Sequence, residues 1–190
     1  PSNPTGSVYS KEELEGLANV IKKHEDLFIL ADEIYEHINY VGKHESIAQF
    51  EGMKERTIIV NGVSKAYAMT GWRIGYIAAP EWIVKGCNKL QGQYTSGPCS
   101  VSQKAAEFAY TADQSCVEEM RVAFERRRNL IVELAKDIPG LEVNVPEGAF
   151  YLFPKCSSFY GKSDGTTTIN NSTDLAMYLL EKGHVATVGG

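Results

Sequence analysis

Residues 61–76 read NGVSKAYAMTGWRIGY and follow an apolar, β-branched run at positions 57–60. Open α/β sheets place their chemistry where strands end in such turns. Lys65, among small and apolar neighbours, is expected to be partly desolvated, which favours a neutral amine that can attack a carbonyl. Arg73 offers a planar fork suited to a phosphate. A nucleophilic lysine near a phosphate clamp indicates pyridoxal phosphate, although this stretch alone fits a solvated lysine and a surface arginine equally well.

The bulk composition is that of an ordinary globular protein. The 190 residues are 43% hydrophobic and 23% charged, with a formal net charge of -5. The single basic triplet, at 126–128, lies in a helical pattern, and no apolar run is long enough to span a bilayer. The four cysteines show no C-x-x-C spacing and are typical of a reducing compartment. We therefore expect a cytoplasmic protein without a metal site and without a nucleic-acid or membrane partner.

The first part of the chain alternates between helix and strand patterns. Ser10 and Glu13 form a predicted capping box that opens a helix over 11–23. Apolar runs at 27–31, 57–60 and 73–79 predict strands, and the first suits a strand buried on both faces of a parallel sheet. Helical patterns follow at 81–90 and 100–112. This alternation predicts an α/β layer structure.

The later part of the chain has a different texture. A long helical pattern covers 113–137, and two short strand patterns at 141–145 and 149–153 flank a hairpin-like turn. A polar loop, a helix at 173–182 and a strand pattern at 185–188 complete the chain. We predict that 1–112 is part of a large α/β domain and that 113–190 is a small α+β domain. Because both ends stop in mid-pattern, we expect a truncated chain.

Polar residues with complementary chemistry lie at other predicted strand ends and turns. Asp32 directly follows a buried strand pattern, and a carboxylate there can keep a pyridine nitrogen protonated. Tyr35 and Asn3 can hydrogen-bond the 3-oxygen of the same ring. Lys65 is then the covalent attachment point and the general base, while Arg73, with Ser64, holds the phosphate.

These blocks resemble the signatures of a known family. The stretches NPTG at 3–6, ADEIY at 31–35, and GVSK to GWRIG at 62–75 are similar to those of class I and II aminotransferases. These are fold-type I pyridoxal 5'-phosphate enzymes, and PEGAFY at 146–151 resembles their small-domain strand motif. The sequence around Lys65 is most similar to bacterial aspartate aminotransferases.

The resemblance implies a fold and a set of roles. It implies the C-terminal part of the large, three-layer α/β cofactor domain plus most of the smaller α+β domain. Lys65 carries the cofactor, Asp32 pairs with its ring nitrogen, Tyr35 and Asn3 meet its 3-oxygen, and Arg73 and Ser64 bind its phosphate. The implied substrates are an amino acid, with aspartate favoured, and a 2-oxo acid, and the implied assembly is a homodimer.

The sequence also departs from the family pattern. Many relatives have a serine three positions before the lysine, where this chain has Gly62, so we expect phosphate binding to depend more on Arg73. The N-terminal phosphate turn, the stacking aromatic residue and the C-terminal carboxylate-binding arginine are not found in these 190 residues. We therefore expect the isolated chain not to transaminate.

Three other functions stay open at this point. A β-lyase or decarboxylase on the same fold would use the same residues, since substrate groups decide which α-carbon bond breaks. An effector-binding domain of a transcriptional regulator is a second alternative. A degenerate scaffold is the third, but a packing role requires no polar groups at strand ends.

Overall fold

The computed structural model describes residues 1–190, which form two compact units. Unit 1 comprises Pro1–Arg126 together with Pro146–Tyr151, and unit 2 comprises Arg127–Val145 together with Leu152–Gly190. The assignment of 1–112 and 113–190 to two domains of the whole protein stays a prediction. No helix combines the length and the apolar character needed to cross a membrane.

Unit 1 contains a three-stranded sheet of order β1-β2-β3. The strands are β1 (Ile29–Asp32), β2 (Thr57–Gly62) and β3 (Gly75–Ala78). β1 runs parallel to β2, whereas β3 runs antiparallel to it. The helices of this part of the chain are α1 (Lys11–Ile21), α2 (Glu81–Tyr94), α3 (Ser100–Thr111) and α4 (Ser115–Lys136), which continues into unit 2. The predicted mixture of helices and strands is confirmed, but the two do not alternate strictly, because the three strands follow one another with no α-helix between them.

The start of α1 is fixed by its capping box. The Ser10 backbone N–H donates to the Glu13 carboxylate at 2.8 Å, and the Glu13 N–H donates to the Ser10 hydroxyl at 3.2 Å. Two orphan N–H groups are thereby satisfied, which typically stabilises a helix by about 1 kcal/mol.

One face of β1 is covered by the core. Ile29 and Ala31 pack against a buried cluster formed by Leu14, Ala18, Ile47 and Met53. Side chains alternate between the two faces of a strand, and Leu30, on the opposite face, is 71% exposed. The expectation that this strand is buried on both faces is therefore wrong for these 190 residues.

The predicted hairpin at 141–153 does not form. In this region unit 2 contains a single β-bridge, which joins Glu142 to Lys155. The backbone of the intervening turn is used elsewhere in unit 1: the Ala149 N–H donates to the Ile38 carbonyl at 2.8 Å, and the Tyr40 N–H donates to the Glu147 carbonyl at 2.8 Å. The hairpin prediction is wrong because this turn pairs with the segment after β1.

The last helix, α5 (Ser172–Gly183), lies in unit 2. Asn171 caps its first turn by accepting a hydrogen bond from the Asp174 N–H at 2.9 Å. His184 adopts the left-handed conformation, and the Val185 N–H donates back to the Leu179 carbonyl at 3.1 Å. Residues 185–188 then form no strand, so that prediction is wrong.

Candidate active site

Asp32 is the last residue of β1 and is exposed. Its carboxylate accepts a hydrogen bond from the Ile34 N–H at 3.2 Å, while the Glu33 N–H donates to the Val60 carbonyl of β2 at 2.9 Å. The sheet hydrogen bonds therefore continue one residue past Asp32, and the carboxylate turns the chain. This places an accessible acid at the carboxyl end of the strand, as predicted.

Tyr35 lies three residues further on and is 5% exposed. Its hydroxyl lies 2.5 Å from the hydroxyl of Tyr151. The Tyr35 ring meets the rings of Phe150 and Tyr151 edge-on, with centroids 5.5 Å and 5.7 Å apart. Burial raises the pKa of Tyr35, and the negative charge of Asp32 raises it further. The Tyr35 phenol therefore stays protonated at neutral pH and can act as a donor.

Lys65 lies in the turn after β2 and is half-buried. Its Nζ lies 5.8 Å from the centroid of the Tyr35 ring and 5.6 Å from that of Phe150. Both distances are within the range of cation–π attraction. The neighbouring Val63 and Ala66 are buried. The structure thus brings the predicted lysine and the predicted tyrosine together, in the partly apolar setting that the sequence indicates.

The loops after β1 and β2 are tied together by Asn61. Its amide Nδ2 donates to the Glu36 carboxylate at 2.8 Å, and its Oδ1 accepts from the Gly62 N–H at 2.7 Å. Asn61 is itself 5% exposed. Because these bonds are largely buried, they hold the start of the Lys65 turn against the Tyr35 segment.

Arg73 and Ser64 are placed differently. Arg73 is exposed, adopts the left-handed conformation with φ 54°, and donates from Nη1 to the Thr70 carbonyl at 2.9 Å. Ser64 is half-buried beside Lys65. The structure records no direct contact between the Arg73 and Ser64 side chains. The Arg73 guanidinium is therefore accessible, but the structure does not show an assembled phosphate site.

Asn3 is exposed and precedes a cis peptide bond to Pro4. Its segment is anchored by the Gly6 carbonyl, which accepts hydrogen bonds from the N–H groups of Glu147 and Gly148 at 2.8 Å and 2.9 Å. No hydrogen bond joins the Asn3 side chain to Asp32, Tyr35 or Lys65. Asn3 thus shares unit 1 with the other candidates.

Gly62 has a structural reason for lacking a side chain. It pairs with Gly75 where β2 and β3 meet. A Cβ on Gly62 would lie 2.7 Å from the Ile74 carbonyl oxygen and 2.8 Å from the Gly75 Cα. Real Cβ atoms do not approach so closely, so the serine found in many relatives cannot be accommodated without moving β3.

We predict that Gly62→Ser destabilises the protein by about 1–3 kcal/mol, because overpacking of a tight contact displaces backbone. Thermal unfolding measures the effect as a lower Tm. Gly86→Ser in α2 is the matched control, since a Cβ there meets nothing within 4 Å. An unchanged Tm in Gly62→Ser would show that the two strands separate freely.

Phe150 and Tyr151 complete the site and were not predicted as site residues. Phe150 also stacks on Phe124, with centroids 5.2 Å apart. The sequence motif at 146–151 contains both residues, but its resemblance to a small-domain strand motif gave no reason to expect them beside Lys65. In the structure this motif belongs to unit 1.

Comparison with known proteins identifies the family. The family model "Aminotransferase class I and II" matches residues 1–190. The chain is 49% identical to the bifunctional aspartate aminotransferase and glutamate/aspartate-prephenate aminotransferase of Petunia hybrida, over 100% of this chain and 41% of that protein. It is 46% identical to an aspartate aminotransferase of Rhizobium meliloti, over 100% of this chain and 47% of that protein. The chain thus spans about half the length of the curated relatives it matches.

Solved structures give the same result for the fold. The aspartate aminotransferase from Rhizobium meliloti superposes with a TM-score of 0.93 at 45% identity, covering 99% of this chain and 48% of that one. The aromatic aminotransferase from Pyrococcus horikoshii superposes with a TM-score of 0.89 at 40% identity, covering 100% and 48%. With the family model matching from the first residue to the last, the chain belongs to the class I and II aminotransferase family and has its fold-type I architecture.

Proposed function

We propose that the protein is a pyridoxal 5'-phosphate-dependent aminotransferase that moves the amino group of an amino acid, aspartate by preference, to a 2-oxo acid. The observation that carries the proposal is the half-buried amine of Lys65, which lies beside the rings of Tyr35 and Phe150 beyond the end of β2. Family membership supports the reaction, and the names of the curated relatives support aspartate.

The polar groups of unit 1 suit this cofactor. The amine suits the cofactor's aldehyde, and the carboxylate at the strand end suits its pyridine nitrogen. The protonated phenol suits the 3-oxygen, and the exposed guanidinium suits the phosphate. Pyridoxal 5'-phosphate, when bound, supplies a carbonyl that joins to amines and a ring that accepts electrons from the substrate. We assign Lys65 to covalent attachment and Asp32 to the ring nitrogen. Tyr35 and Asn3 meet the 3-oxygen, and Arg73 with Ser64 holds the phosphate.

The protein's own groups then perform the proton transfers. With the cofactor bound, the Lys65 amine would be released by an incoming amino acid and would then carry the proton from the substrate α-carbon to C4′ of the cofactor. The Asp32 carboxylate keeps a proton on the ring nitrogen, and the Tyr35 hydroxyl donates a hydrogen bond to the 3-oxygen.

The test uses the full-length protein with pyridoxal 5'-phosphate, aspartate and 2-oxoglutarate. We expect oxaloacetate and glutamate to form at equal rates. Pyruvate and ammonia released from a cysteine-like substrate, without amino transfer, would instead identify a lyase. A protein that binds aspartate without turnover would support an effector-binding role.

Two further expectations concern the whole protein. We propose that it acts as a homodimer and that it resides in the cytoplasm, in line with the resemblance of its sequence to the family. Light scattering of the full-length protein tests the first, and cell fractionation tests the second.

A further inference from the structure

The hydroxyl of Tyr151 contacts the hydroxyl of Tyr35, which the proposed function assigns to the cofactor. The two oxygens lie 2.5 Å apart. Their rings are held edge-on, and Phe150 packs against both of them. Tyr35 is 5% exposed, so little water competes for this bond. The position of the Tyr35 hydroxyl is therefore set by Tyr151 as well as by its own ring.

A phenol has one proton to donate and lone pairs with which to accept. If the Tyr35 hydroxyl donated its hydrogen bond to Tyr151, it could not also donate one to the 3-oxygen of the cofactor. If Tyr151 donates to Tyr35, the proton of Tyr35 stays available, and accepting a bond makes Tyr35 a stronger donor in turn. Only the second arrangement is compatible with a donating Tyr35.

We propose that Tyr151 is a positioning residue that donates its hydroxyl proton to the Tyr35 oxygen, so that Tyr35 directs its own proton to the 3-oxygen of the cofactor. This inference rests on the proposed function, because it assumes that Tyr35 meets that oxygen. Tyr151 acts through Tyr35 and does not itself touch the reacting atoms. The titratable groups around Tyr35 are Asp32, Lys65 and Tyr151.

The pH midpoint of the bound cofactor's absorption change tests the proposal. That absorption changes when the nitrogen that joins Lys65 to the cofactor loses its proton. A hydrogen bond donated to the 3-oxygen draws electron density away from this nitrogen, so that its proton is lost at a lower pH. A weaker donor therefore raises the midpoint.

In the full-length, cofactor-loaded protein we expect Tyr151→Phe to raise the midpoint by about 0.3–0.7 units, the effect of one weakened hydrogen bond. Tyr35→Phe should raise it further. In the Tyr35→Phe background, Tyr151→Phe should add nothing, because the two residues act as one chain. Equal shifts in both backgrounds would overturn the proposal.

Tyr40→Phe is the matched control. Tyr40 belongs to the same cluster, but its hydroxyl donates to the Ala149 carbonyl and not to Tyr35. We expect an unchanged midpoint in this variant, and a shift as large as that of Tyr151→Phe would assign the effect to general loosening. If Tyr151→Phe does not fold, fluorotyrosine at position 151 keeps the shape and donates more strongly, so the midpoint should fall.

The outcomes separate this inference from the proposed function. A wild-type protein with no cofactor absorption band overturns both. A shift in Tyr35→Phe without one in Tyr151→Phe overturns the role of Tyr151 alone. No shift in Tyr35→Phe, with the band present, removes Tyr35 from the 3-oxygen and the positioning role with it.

Discussion

Replacement of Lys65 by alanine is expected to abolish covalent cofactor attachment in the full-length protein and to lower transamination by about 10⁴-fold or more. The reason is that one amine serves both as the attachment point and as the proton carrier, and proton transfer by a positioned side chain alone contributes up to about 10⁴-fold. Borohydride reduction followed by peptide mass analysis measures attachment directly. It should label the peptide that contains Lys65 in the wild type and no peptide in the variant.

Two control variants sharpen this result. Lys85→Ala removes an exposed lysine whose ion pair with Glu81 lies on the surface of α2, so activity and labelling should stay at wild-type levels. Lys65→Arg keeps a positive charge beside the rings of Tyr35 and Phe150 but removes the nucleophile. Labelling or near-normal turnover in Lys65→Arg would show that position 65 supplies charge and not chemistry.

Replacement of Asp32 by asparagine should lower turnover by about 10²-fold or more, while the variant still folds. An opposite charge at hydrogen-bonding distance shifts a proton equilibrium by roughly 10- to 1000-fold, so its loss leaves the ring nitrogen largely unprotonated. Asparagine can still accept the hydrogen bond from the Ile34 N–H that Asp32 accepts at 3.2 Å. Steady-state kinetics should therefore show a fall in kcat with retained cofactor labelling at Lys65.

The matched control is an acidic residue that precedes the opposite end of the same strand. Asp26 is exposed in the loop that precedes β1. Asp26→Asn makes the same change of charge away from the carboxyl end of the sheet. Its kcat should equal that of the wild type. If both variants lost activity to the same extent, net charge and not the position of Asp32 would be responsible.

Local patterns predicted the elements that form from local interactions. The capping box of Ser10 and Glu13 fixes a helix start within four residues, so the sequence is sufficient to place it. The three strands were placed within two residues because apolar β-branched runs are short and bounded by turn residues. The nearness of Lys65 to Tyr35 followed from the parallel pairing of two such strands, whose carboxyl ends share one edge.

Local sequence patterns do not predict contacts between residues that are far apart in the sequence. Nothing near Tyr35 in the sequence predicts that its hydroxyl partner is residue 151, since this pair depends on where a remote turn packs. The same remote pairing explains the wrong hairpin: the turn at 147–149 satisfies its backbone groups with Gly6 and with the segment after β1, and not with its own flanks. The exposure of Leu30 likewise depends on what covers a sheet face, which an apolar run does not specify.

The aromatic pair Phe150 and Tyr151 has a consequence for chain connectivity. The chain leaves unit 1 after Arg126, returns for Pro146–Tyr151, and leaves again. The surroundings of Lys65 are therefore encoded by two separate segments. A shortened protein ending at Arg126 would keep Lys65 and Tyr35 but lose Phe150, one of the two rings beside the lysine, and Tyr151, the partner of the Tyr35 hydroxyl. Any attempt to transplant this site into another scaffold must carry both segments or supply substitutes for the second.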